Sequence, residues 1–149
     1  MEFMATRLRG HAEARIDDKG RLKMPSAIKR NLEGTYGGAL FVTALTDEFL
    51  QIYPIQVWEE IEARIAALGK MHPLKRKFLT RANRCGAEVD MDGQGRILIK
   101  PSQRSQVGIR DDVVLIGCTD HLELWPAESI AAMEGKDSLS AEEFTTLGI

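Results

Sequence analysis

The chain has little cysteine: two residues in 149, Cys85 and Cys118. That excludes a disulfide framework, gives too few thiols for a cysteine-built zinc site, and suits a reducing cytoplasm. Histidine is scarce too, with three residues. His11, His72 and His121 are scattered, and no H-x-x-x-H pair exists to hold a metal on a helix. Long apolar runs are missing. The longest, Gly38–Leu45 and Val113–Cys118, fall far short of the ~18 residues of a membrane helix. No apolar stretch follows Arg7, Arg9 and Arg15, so no signal peptide is expected. Ser-centred nucleophile elbows are absent too. Asp90-Met91-Asp92-Gly93-Gln94-Gly95 begins like a calcium loop, but its twelfth position is Pro101 instead of the bidentate Glu. Gly93-Gln94-Gly95 runs into a strand pattern, so it caps no phosphate-binding helix. Cys85 has no evident nearby base, and Cys118 reads as a core residue of an apolar strand. No catalytic constellation remains, and no enzyme, metal or cofactor is expected.

What is present is an ordinary globular composition, 44% hydrophobic and 28% charged. The length allows one domain or two small ones. A net charge of −2 conceals a segregation. Residues 1–110 carry 19 Lys+Arg against 13 Asp+Glu, whereas residues 111–149 carry Lys136 against nine acids. A basic body with an acidic end points to an anionic partner at the basic part.

The most informative feature is an internal duplication. Asp17-Asp18-Lys19-Gly20-Arg21-Leu22-Lys23-Met24-Pro25 recurs 75 residues later as Asp92-Gly93-Gln94-Gly95-Arg96-Ile97-Leu98-Ile99, with the proline displaced by one residue to Pro101. Thr46-Asp47-Glu48-Phe49-Leu50-Gln51-Ile52-Tyr53-Pro54 matches Thr119-Asp120-His121-Leu122-Glu123-Leu124-Trp125-Pro126 with one deletion. Two matches in the same order define two repeats.

Each repeat reads as strand, turn, strand, short helix, strand, hairpin, strand. In the first, Ala12–Ile16 and Arg21–Met24 alternate around an Asp-Lys-Gly turn. Pro25 sits where a helix would begin, and Gly37-Gly38 breaks it. Leu40–Leu45 and Phe49–Tyr53 form a hairpin. Ala87–Met91, Arg96–Ile99, Val113–Cys118 and Leu122–Trp125 take those places in the second. Its segment after Pro101 is polar and predicts a poorer helix. Between the repeats, Trp58, Ile61, Ile65 and Leu68 share one helical face, and Pro73 opens a second helix with Leu74, Phe78 and Ala82 on a stripe. Pro126 opens a helix with Ile130 and Met133. The organisation is a first repeat over 8–54, a helical connector over 55–85, a second repeat with its following helix over 86–133, and an acidic, frayed end over 134–149. Within that end, Ser140 and Glu143 have capping-box spacing. Met4 reads as the natural start, with Met1-Glu2-Phe3 an added remnant.

Arg9-Gly10-His11-Ala12, Asp17-x-Lys19-Gly20-Arg21 and Asp92-x-x-Gly95-Arg96-Ile97-Leu98-Ile99 together resemble the MraZ family over about residues 8–133. The resemblance implies a mainly β fold with flanking helices, an α+β class in which two AbrB/SpoVT-type half-barrels clasp into one pseudo-symmetric, swapped-hairpin barrel. It implies a cytoplasmic, nucleoid-associated DNA-binding regulator, a repressor, of the cell-division and cell-wall gene cluster. It further implies a homo-oligomer, a ring, bound to promoter direct repeats. Lys100 departs from the pattern, standing where the second repeat often has proline.

The chemistry of D-x-x-G-R suits DNA. Glycine permits the left-handed turn residue. The arginine fork can donate two parallel bonds to guanine O6 and N7, or clamp a phosphate. The aspartate can accept from a turn amide or pair with the arginine. Arg21 and Arg96 are therefore the leading DNA contacts, with Asp17, Gly20, Asp92 and Gly95 shaping their turns. Lys19, Arg15, Lys23 and Lys29 cluster around the first turn as phosphate contacts, and Arg9 joins them through the family pattern. A second basic run, Lys70–Arg84, holds six Lys+Arg and no acid. The competing reading is a solvated face, or a non-catalytic scaffold that binds another protein through the Trp58 helix.

Overall fold

The computed structural model describes residues 7–133 and 135–149. The reading of Met4 as the natural start lies outside the described residues, as does Glu134. The first repeat supplies β1 (His11–Arg15), β2 (Arg21–Lys23), α1 (Ser26–Asn31), a π-helical turn (Leu32–Tyr36), β3 (Ala39–Thr43) and β4 (Leu50–Pro54). The connector is α2 (Ile55–Ala66) and α3 (Pro73–Arg84). The second repeat supplies β5 (Ala87–Asp90), β6 (Arg96–Leu98), α4 (Pro101–Val107), β7 (Asp112–Gly117) and β8 (Leu122–Pro126), followed by α5 (Ala127–Met133) and α6 (Ala141–Leu147).

The fold is mainly β with helices alongside, and the two repeats exchange strands. Six antiparallel strands are ordered β1-β7-β8-β4-β3-β5, so each repeat's first strand pairs with the other repeat's third. The sheet is not closed on itself. Its two edge strands, β1 and β5, lead through the D-x-x-G-R turns into a separate two-stranded ribbon, β2–β6. A pseudo-twofold relation follows from the registers. Leu22 faces Ile97 across the ribbon, and Gln51 faces Glu123 across β4–β8; the duplication equates the members of each pair.

Side-chain alternation builds the core. Leu40 and Val42 of β3, Leu50 and Ile52 of β4, Leu115 of β7 and Leu122 and Leu124 of β8 face one interior. Leu22 and Ile97 close it from the ribbon, at 0% and 1% exposure. The opposite sheet face carries Phe41 and Tyr53, which α2 and α3 cover with Trp58, Phe78 and Ala82. Phe41 stacks on Trp58 at 4.6 Å, and Trp58 on Phe78 at 6.0 Å. Such pairs add to plain burial because ring edges and faces carry opposite partial charge. The Trp58 face is thus spent inside the chain, which removes the side chain on which a scaffold reading relied.

Two local expectations are corrected. The polar segment after Pro101 is a full helix, with Lys100 as its N-cap and Pro101 at its first position. Gln103 and Val107, four apart, are its buried face. Gln103 Nε2 donates to the carbonyls of Val42 and Cys85 at 3.0 and 3.1 Å, so its polarity is satisfied inside. Cys118 is half-buried just beyond β7, not part of the core. At the far end, Ser140 Oγ accepts from the Glu143 amide while the Glu143 carboxylate accepts from the Ser140 amide, and this reciprocal cap starts α6. Gly135–Ile149 is exposed throughout.

Candidate nucleic-acid interface

Both D-x-x-G-R turns close by the same backbone chemistry. The Asp17 carbonyl accepts from the Gly20 amide at 3.0 Å, and the Arg21 carbonyl accepts from the Asp17 amide at 2.9 Å. In the second copy the Asp92 carbonyl accepts from Gly95 at 2.9 Å and the Arg96 carbonyl from Asp92 at 3.0 Å. Gly20 and Gly95 have φ of +82° and +81°, a region that costs a β-carbon strain. The Gly20 carbonyl then accepts from the Ile99 amide and the Gly95 carbonyl from the Met24 amide, both at 2.8 Å. These two crossed bonds tie the turns to the ribbon.

The aspartate carboxylates organise each turn. Asp17 Oδ1 accepts from the Arg21 and Lys19 amides at 2.8 and 2.9 Å, and Asp92 Oδ1 from the Arg96 and Gln94 amides at 2.9 Å each. Those amides, Arg21's and Arg96's foremost, hold both carboxyls below the usual aspartate range, because hydrogen bonds to the charged form favour it. The charge of Arg21 also acts on Asp92, so the two turns lie within electrostatic reach.

The arginines differ. Arg21 Nε donates to its own Asp17 Oδ2 at 3.0 Å, which fixes the start of the guanidinium and leaves the far nitrogens open. Arg96 has no side-chain ion pair among the described residues. Strand alternation sends Leu22 and Ile97 inward, so Arg21, Lys23, Arg96 and Leu98 occupy the outer ribbon face. Lys23 stands opposite Arg96, and Arg21 opposite Leu98, which is 45% exposed. Lys19 is exposed at the turn tip.

Lys29 and Arg104 extend the basic surface. A β-carbon on Gly95 would meet the Lys29 stem at 2.8 Å, and one on Gly20 would lie 3.5 Å from Arg104 Nη2. The repeat offset equates these two side chains, and each lies over the opposite repeat's turn. Arg104 stands in no motif of its own; its 75-residue offset from Lys29 is the sequence signal that finds it. Lys29 Nζ also donates to Glu33 at 3.1 Å.

The remaining candidates are less concentrated. Arg15 is exposed at the turn end of β1, with Asp111 and Asp112 oxygens at 3.8 and 4.0 Å. Part of the acidic end of the chain therefore borders this surface. Arg9 lies at the other end of β1, beside Gly117 and Thr119, ~25 Å of strand from the Asp17 turn. The second basic run lines an open cleft of about 690 Å³ between α3 and α4, with Arg76, Lys77, Arg81 and Arg84 on its wall. Arg81 is engaged there: it donates to the Ala44 carbonyl and to Asp47, both at 2.7 Å. Among the described residues, metal-ligating types converge only at Cys118, His121 and Glu123.

The chain matches the family described as "MraZ protein, putative antitoxin-like" over residues 8–81 and 86–147. It is similar to the "Transcriptional regulator MraZ" of Acidobacterium capsulatum, 37% identical over 91% of this chain and 92% of that protein. The protein of the same name from Koribacter versatilis is 36% identical over 93% and 95%. That from Nitrosospira multiformis is 40% identical over 80% and 82%. These relatives are named for transcriptional regulation, not for a reaction, and no described helix is long and apolar enough to cross a membrane.

Proposed function

Since the chain belongs to the MraZ family, we propose that it is a sequence-specific DNA-binding transcriptional regulator that reads the major groove with its β2–β6 ribbon. The observation that carries this reading is the outer ribbon face, where Arg21, Lys23 and Arg96 stand over an inner face that is wholly core. A major groove about 12 Å wide admits a two-stranded ribbon. Arg21 and Arg96 donate to guanine edges, with Arg21 aimed by Asp17. Lys19, Lys23, Lys29 and Arg15 contact phosphates, which position the protein and add affinity without sequence information. Asp17, Gly20, Asp92 and Gly95 hold the turns. Arg9 contacts backbone only outside this face, on the flank of β1.

One chain offers two reading arginines, too few for high selectivity. The regulator therefore acts as a homo-oligomer, a ring, in the cytoplasm on nucleoid DNA. Joined protomers make later contacts intramolecular, and avidity rises without a new type of contact. The operator is a set of short guanine-containing direct repeats spaced near one helical turn, ~10 bp, so that neighbouring protomers meet one DNA face. The sites lie upstream of the cell-division and cell-wall genes, and binding represses them.

Binding to duplexes with one, two or three upstream repeats, alongside mass in solution, tests this. Affinity should climb with repeat number, fall steeply with salt as counterions are released, and drop at least about fivefold in Arg21→Ala, one bidentate contact being worth roughly 1–3 kcal/mol. A protein monomeric at micromolar concentration that binds one repeat as tightly as three would overturn the assembly. An Arg21→Ala variant of wild-type affinity would overturn the ribbon assignment.

A further inference from the structure

The duplication provides an internal comparison at the two hairpin tips. Three positions that are Leu45, Phe49 and Gln51 beside β3–β4 become Cys118, His121 and Glu123 beside β7–β8. The structure supports the correspondence. Gln51 faces Glu123 across the central strand pair. Phe49 stacks on Trp125 at 4.5 Å, and His121 stacks in the same manner on Tyr53, the equivalent of Trp125, at 4.7 Å. In the first hairpin Gln51 Oε1 simply accepts from the Leu45 amide at 3.1 Å. In the second, all three residues are metal-ligating types, and one donor atom from each lies within 4.8 Å of the others.

The surrounding groups are those a metal site needs. His121 Nδ1 is 2.8 Å from Asp120 Oδ1, which orients the ring and leaves Nε2 as the open nitrogen. Histidine ligands are commonly held this way by a carboxylate behind the ring. Glu123 Oε1 accepts from Trp125 Nε1 at 2.8 Å, which fixes the carboxylate, and the Cys118 thiol hydrogen-bonds to the same carboxylate, so an entering ion takes the place of that thiol proton. All three side chains belong to partly buried residues. Thr119, between Cys118 and His121, takes φ +73°, a left-handed turn residue that is not glycine.

We infer that the β7–β8 hairpin binds one zinc-class divalent ion through the Cys118 thiolate, His121 and the Glu123 carboxylate. A thiolate with an imidazole selects a borderline-soft ion over magnesium or calcium. Three protein ligands leave a fourth tetrahedral position for water or another donor. The Cys118 thiol proton goes to solvent as the ion enters, so binding weakens in acid. The ion would sit beside the Leu8–Thr119 bridge, whose two amide–carbonyl bonds of 2.8 and 2.9 Å anchor the chain leading to Arg9 and β1. The inference does not depend on the DNA-binding reading.

Cobalt(II) titration of the full, chelator-stripped chain tests it, because cobalt replaces zinc and a thiolate ligand gives it a charge-transfer absorption. The expected result is one cobalt per chain with that absorption, displaced by zinc. Cys118→Ser should remove the absorption, and Cys85→Ser, the other thiol, should keep it. His121→Phe installs the first repeat's residue, which retains the ring stack on Tyr53. That variant should keep the wild-type circular dichroism and bind about tenfold more weakly or worse. Absence of the absorption at one equivalent, its survival in Cys118→Ser, or unchanged affinity in His121→Phe would overturn the site.

Discussion

Lys23 stands directly opposite Arg96 in the antiparallel β2–β6 ribbon, a like-charge cross-strand pair whose flanking Leu22 and Ile97 are buried. Like charges in that relation destabilise a sheet by roughly 0.2–1 kcal/mol. The pair makes sense where an anion neutralises both side chains. Arg96→Glu should leave the stability of the free protein within about 1 kcal/mol of wild type, because the new attraction to Lys23 is offset by repulsion from Asp92, on which the Arg96 charge now acts favourably; urea denaturation reads this. The same variant should lose DNA affinity at least tenfold. Wild-type affinity in this variant would detach this face from DNA.

The two turn aspartates set a pH expectation. Amides of Arg21 and Lys19 at Asp17, and of Arg96 and Gln94 at Asp92, depress the folded-state carboxyl values below 3.8. A depressed carboxyl contributes stability that is present above its unfolded value and is lost as pH falls through the folded one. Both turns should thus remain intact down to about pH 4 and open only in stronger acid. Carboxyl-carbon NMR titration should show Asp17 and Asp92 protonating at lower pH than a free aspartate side chain, about 3.9. Asp17→Asn should also loosen Arg21, because the Nε contact loses its charge, whereas Asp92→Asn should leave the Arg96 side chain unchanged.

Much of this arrangement is written locally. The D-x-x-G turns, the proline-led helices and the alternating strands depend on residues within a few positions of one another, and they appear where the pattern places them. The exchange of strands between repeats came from family resemblance, because periodicity carries no partner information. α4 is not legible from its polar sequence, since Gln103 looks solvent-facing until two carbonyls from distant β3 and Cys85 meet it. Arg104 is hidden for a similar reason: its place over Gly20 depends on the clasp of the two repeats. The trio of Cys118, His121 and Glu123 is not legible in the sequence, because a C-x-x-H-x-E spacing converges only once the hairpin is formed.

Gln103 tests how firmly α4 is fastened. Gln103→Leu would fit a buried site yet leave the Val42 and Cys85 carbonyls without their donor. Each unsatisfied buried group costs about 1–3 kcal/mol. A loss of at least ~2 kcal/mol in urea unfolding is expected, with Gln103→Glu worse because an acceptor then faces acceptors. A neutral Gln103→Leu would mean that these bonds do not hold the helix.

The structure divides the acidic end of the chain in two. Asp111 and Asp112 sit beside Arg15 at the ribbon's flank, with oxygens at 3.8 and 4.0 Å, whereas Gly135–Ile149 is exposed throughout and carries Asp137, Glu142 and Glu143. Both parts repel phosphate, but only Asp111 and Asp112 engage a cation of the proposed DNA-binding surface, Arg15. The charges of Gly135–Ile149 are fully solvated and screened by salt, with a Debye length of about 8 Å at physiological ionic strength. Cutting the chain after Gly135 should therefore leave operator affinity equal or slightly higher at ~150 mM salt. Asp111→Asn with Asp112→Asn, by contrast, frees Arg15 beside the groove and should tighten binding several-fold, with a steeper salt dependence because one more cation reaches a phosphate. Fluorescence anisotropy across a salt series distinguishes the two. A large loss of affinity on truncation with unchanged oligomer mass would show that the tail itself contacts DNA. No change in the double variant would remove Arg15 from the phosphate contacts.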